Sequence, residues 1–300
     1  MSAATHDAVQ RARAAFLNAC ALDVAVRKPG NVSLNSAGHG MQAEMFLASA
    51  SAAAAPLFAM GRRVGERIEG AVQASLAVAG CNTNLGIVLL CAPIAAAVEM
   101  HPEAGTGNAL REAVGTVLRG LSLPDARAAF RAIALANPGG LGAAAVQDVH
   151  EAPSVDLRAA MVLAAERDLI ARQYRDGFAD VFALALGPGF ASADLAGGRA
   201  PDAATVAAVQ RLYLELLSGF PDSHIVRKHG EAVAQTVMAA AQAWHARALA
   251  GAALDAAPGF AAWDESLKSQ GINPGTSADM TVATLTIAGL TRMEKARGAL

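Results

Sequence analysis

Apolar residues recur at helical spacing along most of the chain. In the segment from Ala8 to Val26, Phe16, Cys20 and Val24 are four residues apart, which places them on one face of an α-helix. Periodicity, with proline and capping signals, predicts further helices over 42–60, 87–98, 106–121, 124–136, 157–182, 203–217, 231–254 and 278–295. The pattern therefore predicts an all-α protein: a single compact multi-helix domain over residues 1–300, with polar loops converging on one pocket.

The composition agrees with a helical core. Apolar residues make up 54% of the chain and charged residues 17%, whereas aromatic residues make up only 4%. Alanine is abundant, and it has the highest helix propensity because its side chain loses no entropy on folding. We therefore expect small side chains to let the helices pack closely.

Charge and cysteine usage exclude several classes of protein. The net charge is −2, so we expect no general affinity for nucleic acid or for an acidic membrane surface. The three cysteines have no zinc-like spacing, which favours a reduced, cytoplasmic setting. Residues 1–13 lack a signal-peptide core, and the apolar run over 87–98 is too short to span a bilayer. The charged segment over 62–69 is expected to face solvent.

The densest cluster of ionisable side chains lies between Pro221 and Gly230. Arginine and lysine neutralise phosphates, histidine exchanges protons near neutral pH, and aspartate binds cations. The cluster is therefore the centre of the predicted site. Its members are Asp222, His224, Arg227, Lys228 and His229.

A second polar segment stands at the start of the most apolar helix. It consists of Asn82, Thr83 and Asn84, between two glycines. One such residue would serve to cap the helix. Three polar groups in a row at the mouth of a buried helix favour contact with a ligand, since unpaired buried polar groups are costly. Capping together with turn formation is the alternative.

A charged stripe marks the predicted helix over 157–182. Asp168, Arg172, Asp176 and Asp180 recur every four residues and would share one face. We expect Arg172 and Asp176 to form a solvated salt bridge. Asp168 and Asp180 lie nearer the apolar face, where two carboxylates could hold Mg²⁺ carrying a polyphosphate.

Two further loops carry polar groups. Lys28 opens an early turn through Pro29 and Gly30. In a late loop, Thr276 or Ser277 would cap the last helix and Asp279 would lie in its first turn. The order of all these polar segments resembles one family, the triphosphoribosyl-dephospho-CoA synthases of citrate and malonate decarboxylase systems.

The resemblance covers nearly the whole chain, from Lys28 to residue 279. Residues 273–279 resemble the family's Pro-Gly-Gly-Ser-Ala-Asp segment, and residues 80–86 resemble its Asn-Thr-His-Lys-Gly segment. Residues 222–230 resemble its Asp-x-Asn-x-x-x-Arg-x-Gly loop. Several motifs in one order are much more specific than any single motif.

The chain departs from the family pattern at two places. Asn84-Leu85 stands where the family has His-Lys, which removes a cation where a triphosphate would lie. The glycine-rich loop over 137–142 is neither a Walker nor a Rossmann motif, and the region lacks the family's Arg-Gly-Glu. The resemblance is therefore to a divergent branch.

The resemblance implies a pentosyltransferase, a single all-helical transferase domain. The family breaks the N-glycosidic bond of ATP, releases adenine and transfers the 5-triphosphoribosyl group to the 2′-hydroxyl of dephospho-CoA in an α linkage. Such a reaction needs a base for the hydroxyl, stabilisation of an oxocarbenium-like sugar and neutralisation of phosphate charge. ATP as donor and a small-molecule hydroxyl acceptor follow from the resemblance, and the candidate carboxylates make Mg²⁺ the expected cofactor.

The residues of this chain suit those roles, although the sequence does not fix which carboxylate is the base. The candidate catalytic residues are Asp222, His224, Asp168 and Asp279. The candidate Mg²⁺ ligands are Asp168, Asp222 and Asp279. The candidate substrate- and phosphate-binding residues are Lys28, Asn82, Thr83, Asn84, Arg227, Lys228, His229, Thr276 and Ser277.

Other functions stay open at this stage. Tetrahydromethanopterin carries an α-ribosyl phosphate on a hydroxyl, so a related transferase that uses ATP or phosphoribosyl pyrophosphate is the second hypothesis. A Mg²⁺-dependent hydrolase of ribosyl or phosphate bonds is the third, and a helical binding or scaffold protein is the fourth. Small residues on the helix faces are compatible with a homodimer.

Overall fold

The computed structural model describes residues 2–103, 107–142 and 146–298. Within these residues there are fourteen α-helices and two short 3₁₀ turns, and no β-strand. The prediction of an all-α fold is confirmed. The helices are α1 Ala3–Ala25, α2 Ala43–Leu57, α3 Val64–Ala79, α4 Leu85–Met100, α5 Gly107–Arg119, α6 Leu123–Ala136, α7 Leu157–Ala164, α8 Leu169–Asp176, α9 Ala179–Leu186, α10 Ala203–Gly219, α11 Ser223–His229, α12 Glu231–Leu249, α13 Pro258–Ser269 and α14 Gly275–Gly298.

The main core is organised around α4. Every residue from Leu85 to Val98 is buried, because α4 packs against α1, α2, α3, α5, α8 and α14. The most apolar run of the sequence is thus a central core helix, and α14 lies beside it in contact with α1, α9 and α10. A smaller apolar cluster lies among α10 to α13. Within the described ranges, no helix is long and apolar enough to cross a membrane.

The prediction of one helix over 157–182 is wrong. Three short helices occupy this stretch. Asp168 caps α8 by accepting hydrogen bonds from the N–H groups of Ile170 and Ala171, and Gly177 ends α8 in the left-handed conformation at φ +66°. The apolar spacing continues through both breaks because each short helix buries one face in the same core.

The expected Arg172–Asp176 salt bridge is also wrong. Arg172 pairs with Asp180, 2.7 Å away across the break between α8 and α9. Asp176 pairs with Arg175, 2.7 Å away. The four-residue stripe does not form one helix face, because Asp180 belongs to a different helix from Arg172.

Residues 62–69 do not face solvent as a whole. α3 begins at Val64, and Arg67 is only 1% exposed. Its guanidinium pairs with Glu99 and donates to the backbone carbonyl of Leu57 at 3.0 Å. A guanidinium can be buried when its donors are matched in this way.

Candidate active site

A cavity of about 660 Å³ opens where several helix ends meet. Its wall includes the starts of α4, α8 and α14, one side of α11 and the glycine-rich loop over 137–142. Eight of the predicted site residues line it: Asn82, Thr83, Asn84, Asp168, His224, Arg227, Lys228 and Asp279. Five lie outside the lining: Lys28, Asp222, His229, Thr276 and Ser277.

Asp222 lies behind the cavity wall and is 0% exposed. One carboxylate oxygen accepts hydrogen bonds from the N–H groups of His224 and Ile225, and the other accepts two from Ser277. The Thr276 hydroxyl joins this junction by accepting from the His224 N–H at 3.2 Å. Burial raises the pKa of Asp222, and its hydrogen bonds oppose the rise. The geometry favours a positioning role, and the catalytic and metal-binding roles of Asp222 stay predictions.

Lys28 is buried and supports the cavity from behind. Its Nζ donates to the backbone carbonyl of Asp23 at 2.5 Å and to Oδ1 of Asn31 at 3.0 Å, and it lies 3.1 Å from the Asp23 carboxylate. Both Asp23 and Asn31 line the cavity. Lys28 is therefore placed to orient two lining residues. His229 also contacts a backbone carbonyl, since its Nε2 donates to Gly271 at 3.1 Å. Direct phosphate contacts of Lys28 and of His229 stay predictions.

Sequence reasoning missed Asp23 as a site residue. It lies near the end of α1, is 4% exposed and lines the cavity. Burial raises the pKa of Asp23, and the nearby Lys28 ammonium opposes the rise. The available signal was an acid on the inward side of an amphipathic helix, five residues before Lys28.

Asp279 lies in the first turns of α14 and faces the cavity. Its carboxylate occupies the space beside Gly86 at the start of α4, where a Cβ on Gly86 would overlap Oδ2. No hydrogen bond or ion pair joins the Asp279 carboxylate to any other described residue. Burial raises its pKa well above the usual value, and the charges of Asp23 and Asp222 add to the rise. Asp279 is thus a partly exposed carboxylate at the cavity, with acceptor positions left for a ligand.

His224 is a neutral imidazole in the folded protein. Its ring lies against Gly275, where a side chain would overlap Nδ1. Burial, and then the positive charges of Arg227 and Lys228, lower the pKa of His224 to about 4. At neutral pH it can therefore accept a proton but has none to give as an imidazolium.

Positive charge lies on α11, where the glycine-rich loop packs against it. Arg227 donates to the Asp168 carboxylate at 2.6 Å. A Cβ on Gly140 would be 2.6 Å from the Arg227 carbonyl oxygen, so the loop packs directly on α11. The Lys228 ammonium has no hydrogen bond or ion pair within the described ranges, and it is exposed at the cavity. This wall suits an anionic ligand group.

The polar segment before α4 has divided roles. The Asn82 side chain accepts from the Leu85 N–H at 3.1 Å, and the Thr83 hydroxyl donates to Ser49 at 2.7 Å. Both residues thus serve capping and local structure. Asn84 is 6% exposed, lines the cavity, and its Nδ2 has no partner. Asn84 is the member of the segment that is free to donate to a ligand.

Comparison with known proteins decides the family. A family model described as CitG, ATP:dephospho-CoA triphosphoribosyl transferase, matches residues 9–298. The chain belongs to this family. A crystal structure from Archaeoglobus fulgidus, provisionally assigned as a triphosphoribosyl-dephospho-CoA synthase, has a TM-score of 0.63 and 27% identity, covering 82% of this chain and 98% of that chain. No match was found among curated protein sequences.

The family match confirms the resemblance and the prediction of an enzyme. CitG proteins are pentosyltransferases that take the triphosphoribosyl group from ATP. The cavity is the candidate active site of this CitG member, because its lining combines the carboxylates and the cations that such a transfer uses.

A metal site formed by protein alone is absent from the described part of the chain. No group of three or more His, Cys, Asp or Glu side chains there is close enough to hold a metal ion. Mg²⁺ with a polyphosphate needs only one or two carboxylates. Asp168 fits that need, because it lines the cavity and its Oδ2 accepts one hydrogen bond, from Arg227.

Proposed function

We propose that the protein transfers the 5-triphosphoribosyl group of ATP to the 2′-hydroxyl of dephospho-CoA. Family membership supports the reaction class. The observation that carries the proposal to this chain is that one cavity is lined both by carboxylates, the buried Asp23 and the partly exposed Asp279, and by the cations Arg227 and Lys228 of α11. This arrangement suits a sugar ring beside the carboxylates and phosphates along α11.

Asp279 is proposed as the general base. In the transfer, the bond from C1′ to adenine breaks with its electron pair leaving on N9 of adenine, which takes up a proton from water, and a bond forms from C1′ to the acceptor oxygen. The hydroxyl proton passes to the Asp279 carboxylate, which has acceptor positions available. A β-nucleoside that gives an α product is inverted, so the acceptor approaches the sugar face opposite adenine. Asp23, held by Lys28, supplies negative charge beside the developing sugar cation.

Phosphate binding is assigned to the α11 wall. Lys228 acts as a point charge toward phosphate. Arg227, whose guanidinium is held by its hydrogen bond to Asp168, acts as a planar donor to phosphate oxygens. Asp168 would hold Mg²⁺ together with phosphate oxygens, and the ion would neutralise part of the triphosphate charge. Asn84 Nδ2 would donate to a sugar hydroxyl oxygen.

The test is to incubate the protein with ATP, Mg²⁺ and dephospho-CoA and to follow products by mass. We expect triphosphoribosyl-dephospho-CoA and one adenine for each product molecule. Adenine or ribose triphosphate released at the same rate without acceptor would support a hydrolase instead. Tight nucleotide binding without product from any acceptor would contradict a transferase. Omission of Mg²⁺ with added EDTA should slow the transfer if the metal assignment is correct.

A second candidate is an α-ribosyl phosphate transferase of tetrahydromethanopterin biosynthesis. The observation that favours it is the small number of cations: the only lysines and arginines among the described lining residues are Arg167, Arg227 and Lys228. Leu85, which is 7% exposed, lines the cavity at the position where the family pattern has a lysine. A donor with fewer phosphates at this position needs less charge. Replacing ATP by phosphoribosyl pyrophosphate, with the pterin alcohol as acceptor, separates this candidate from the first.

A further inference from the structure

Apolar side chains are exposed at the mouth of the cavity. Val146 is 64% exposed and Leu163 is 53% exposed, and both line the cavity. Leu141 and Met161 line it as well and are partly buried against the core. These four residues are called the apolar lip below. A group of exposed apolar side chains at a ligand cavity is typical of a binding surface.

The cavity is too small to enclose both proposed substrates. Pockets of about 300–1,000 Å³ take one drug-sized ligand, and this cavity measures about 660 Å³. The reacting atoms of ATP and of dephospho-CoA nevertheless have to meet beside the carboxylates of Asp23 and Asp279. Part of one substrate therefore extends through the mouth, where it meets the apolar lip.

The acceptor joins a charged group to an apolar arm, and the cavity lining has a cation next to an apolar surface. Dephospho-CoA consists of an adenosine, a diphosphate and a long pantetheine arm that carries methyl and methylene groups. With its 2′-hydroxyl at Asp279, the diphosphate comes next and the arm last. Arg167 is exposed and lines the cavity, and its guanidinium donates to the Leu163 carbonyl at 3.2 Å. A cation thus directly adjoins the apolar surface.

We propose that the apolar lip binds the pantetheine arm of the acceptor, with Arg167 beside the acceptor diphosphate. The inference rests on the proposed function, since it takes dephospho-CoA as the acceptor. ATP has no comparable apolar arm, so the lip contributes to acceptor binding and not to donor binding.

The test uses the variant Leu163→Ser/Val146→Ser. Both side chains are more than half exposed, so their replacement leaves the fold intact. The KM for dephospho-CoA should rise by about 5- to 30-fold, because the arm loses apolar contact. The KM for ATP, the kcat and the inhibition constant of ADP, which lacks the arm, should stay within about twofold. Leu34→Ser is the matched control, because Leu34 is 57% exposed but lies outside the cavity lining.

The outcomes separate this inference from the proposed function. An unchanged KM for dephospho-CoA in the double variant would overturn the lip assignment while leaving the transfer intact. An equal rise in the KM for ATP would also overturn it, since the lip would then serve both substrates. If the wild-type protein forms no product from dephospho-CoA, the proposed function fails and the lip assignment fails with it.

Discussion

The Asp222 carboxylate holds Ser277 by two hydrogen bonds, one of 2.7 Å from the backbone N–H and one of 2.8 Å from the hydroxyl. Because Asp222 also caps α11, one buried side chain fixes how α11 meets the start of α14. His224 and Asp279 follow two residues after Asp222 and Ser277, respectively, and both line the cavity. The junction therefore sets the relative position of two candidate catalytic groups.

Asp222→Ala should destabilise the protein by about 3–5 kcal/mol, because it leaves several buried donors without an acceptor. The matched control is Asp156→Ala, which removes the cap of α7 and should cost only about 1 kcal/mol. Urea denaturation of both variants measures the difference. Equal losses would show that the Asp222–Ser277 junction adds nothing beyond helix capping.

Gly86→Ala should lower kcat/KM by at least about tenfold. The new methyl group would overlap Oδ2 of Asp279, and in a close-packed interior the carboxylate has to move. Gly219→Ala is the control, because a Cβ there meets nothing within 4 Å. Steady-state kinetics of the two variants test the point, and full activity in Gly86→Ala would show that the position of Asp279 is unimportant.

His224 makes stability depend on pH. Its pKa is lowered from 6.5 to about 4 in the folded protein, so between these values the unfolded chain binds a proton that the folded protein does not. The free energy of unfolding therefore has its full value above pH 6.5 as far as His224 is concerned. It falls by about 3 kcal/mol in total as the pH decreases to about 4. Unfolding free energies measured across this range should fall less steeply in His224→Gln. Parallel curves for variant and wild type would contradict the buried neutral state.

Some of this architecture follows directly from the sequence. The apolar run over 87–98 predicts a buried helix, and the dense polar segment around His224 predicts a site, because both signals are local. The sequence does not reveal which way a side chain faces. Asp222 belongs to the predicted cluster but points away from the cavity, since Ser277, distant in sequence, supplies its partners.

Other features depend on how distant elements pack. Asp23 is placed on the inward side of α1 by the helical period, but the cavity that it lines exists only once α1 packs against α4 and α14. The breaks at Asp168 and Gly177 had local signals, an N-cap residue and a helix-ending glycine. Apolar residues continue at helical spacing past both residues, and this longer pattern outweighed the local signals.

The raised pKa of Asp279 sets the pH below which the reaction should slow. Burial and the neighbouring carboxylates raise this pKa well above its usual value, and a general base works only when it is ionised. Below the raised pKa the carboxyl is protonated, so kcat/KM should increase with pH through that value. A pH–rate profile whose acid limb lies at the ordinary value for aspartate would contradict the assignment of Asp279 as the base.

The most direct measurement compares adenine release and product formation in the wild-type protein and in Asp279→Asn, with ATP, Mg²⁺ and dephospho-CoA present. The wild type should release one adenine for each triphosphoribosyl-dephospho-CoA formed. The variant should lose about 10²- to 10⁴-fold in kcat, with the KM for ATP changed by only a few-fold. A variant with wild-type kcat, or adenine released without the ribosylated product, would contradict triphosphoribosyl transfer at this site.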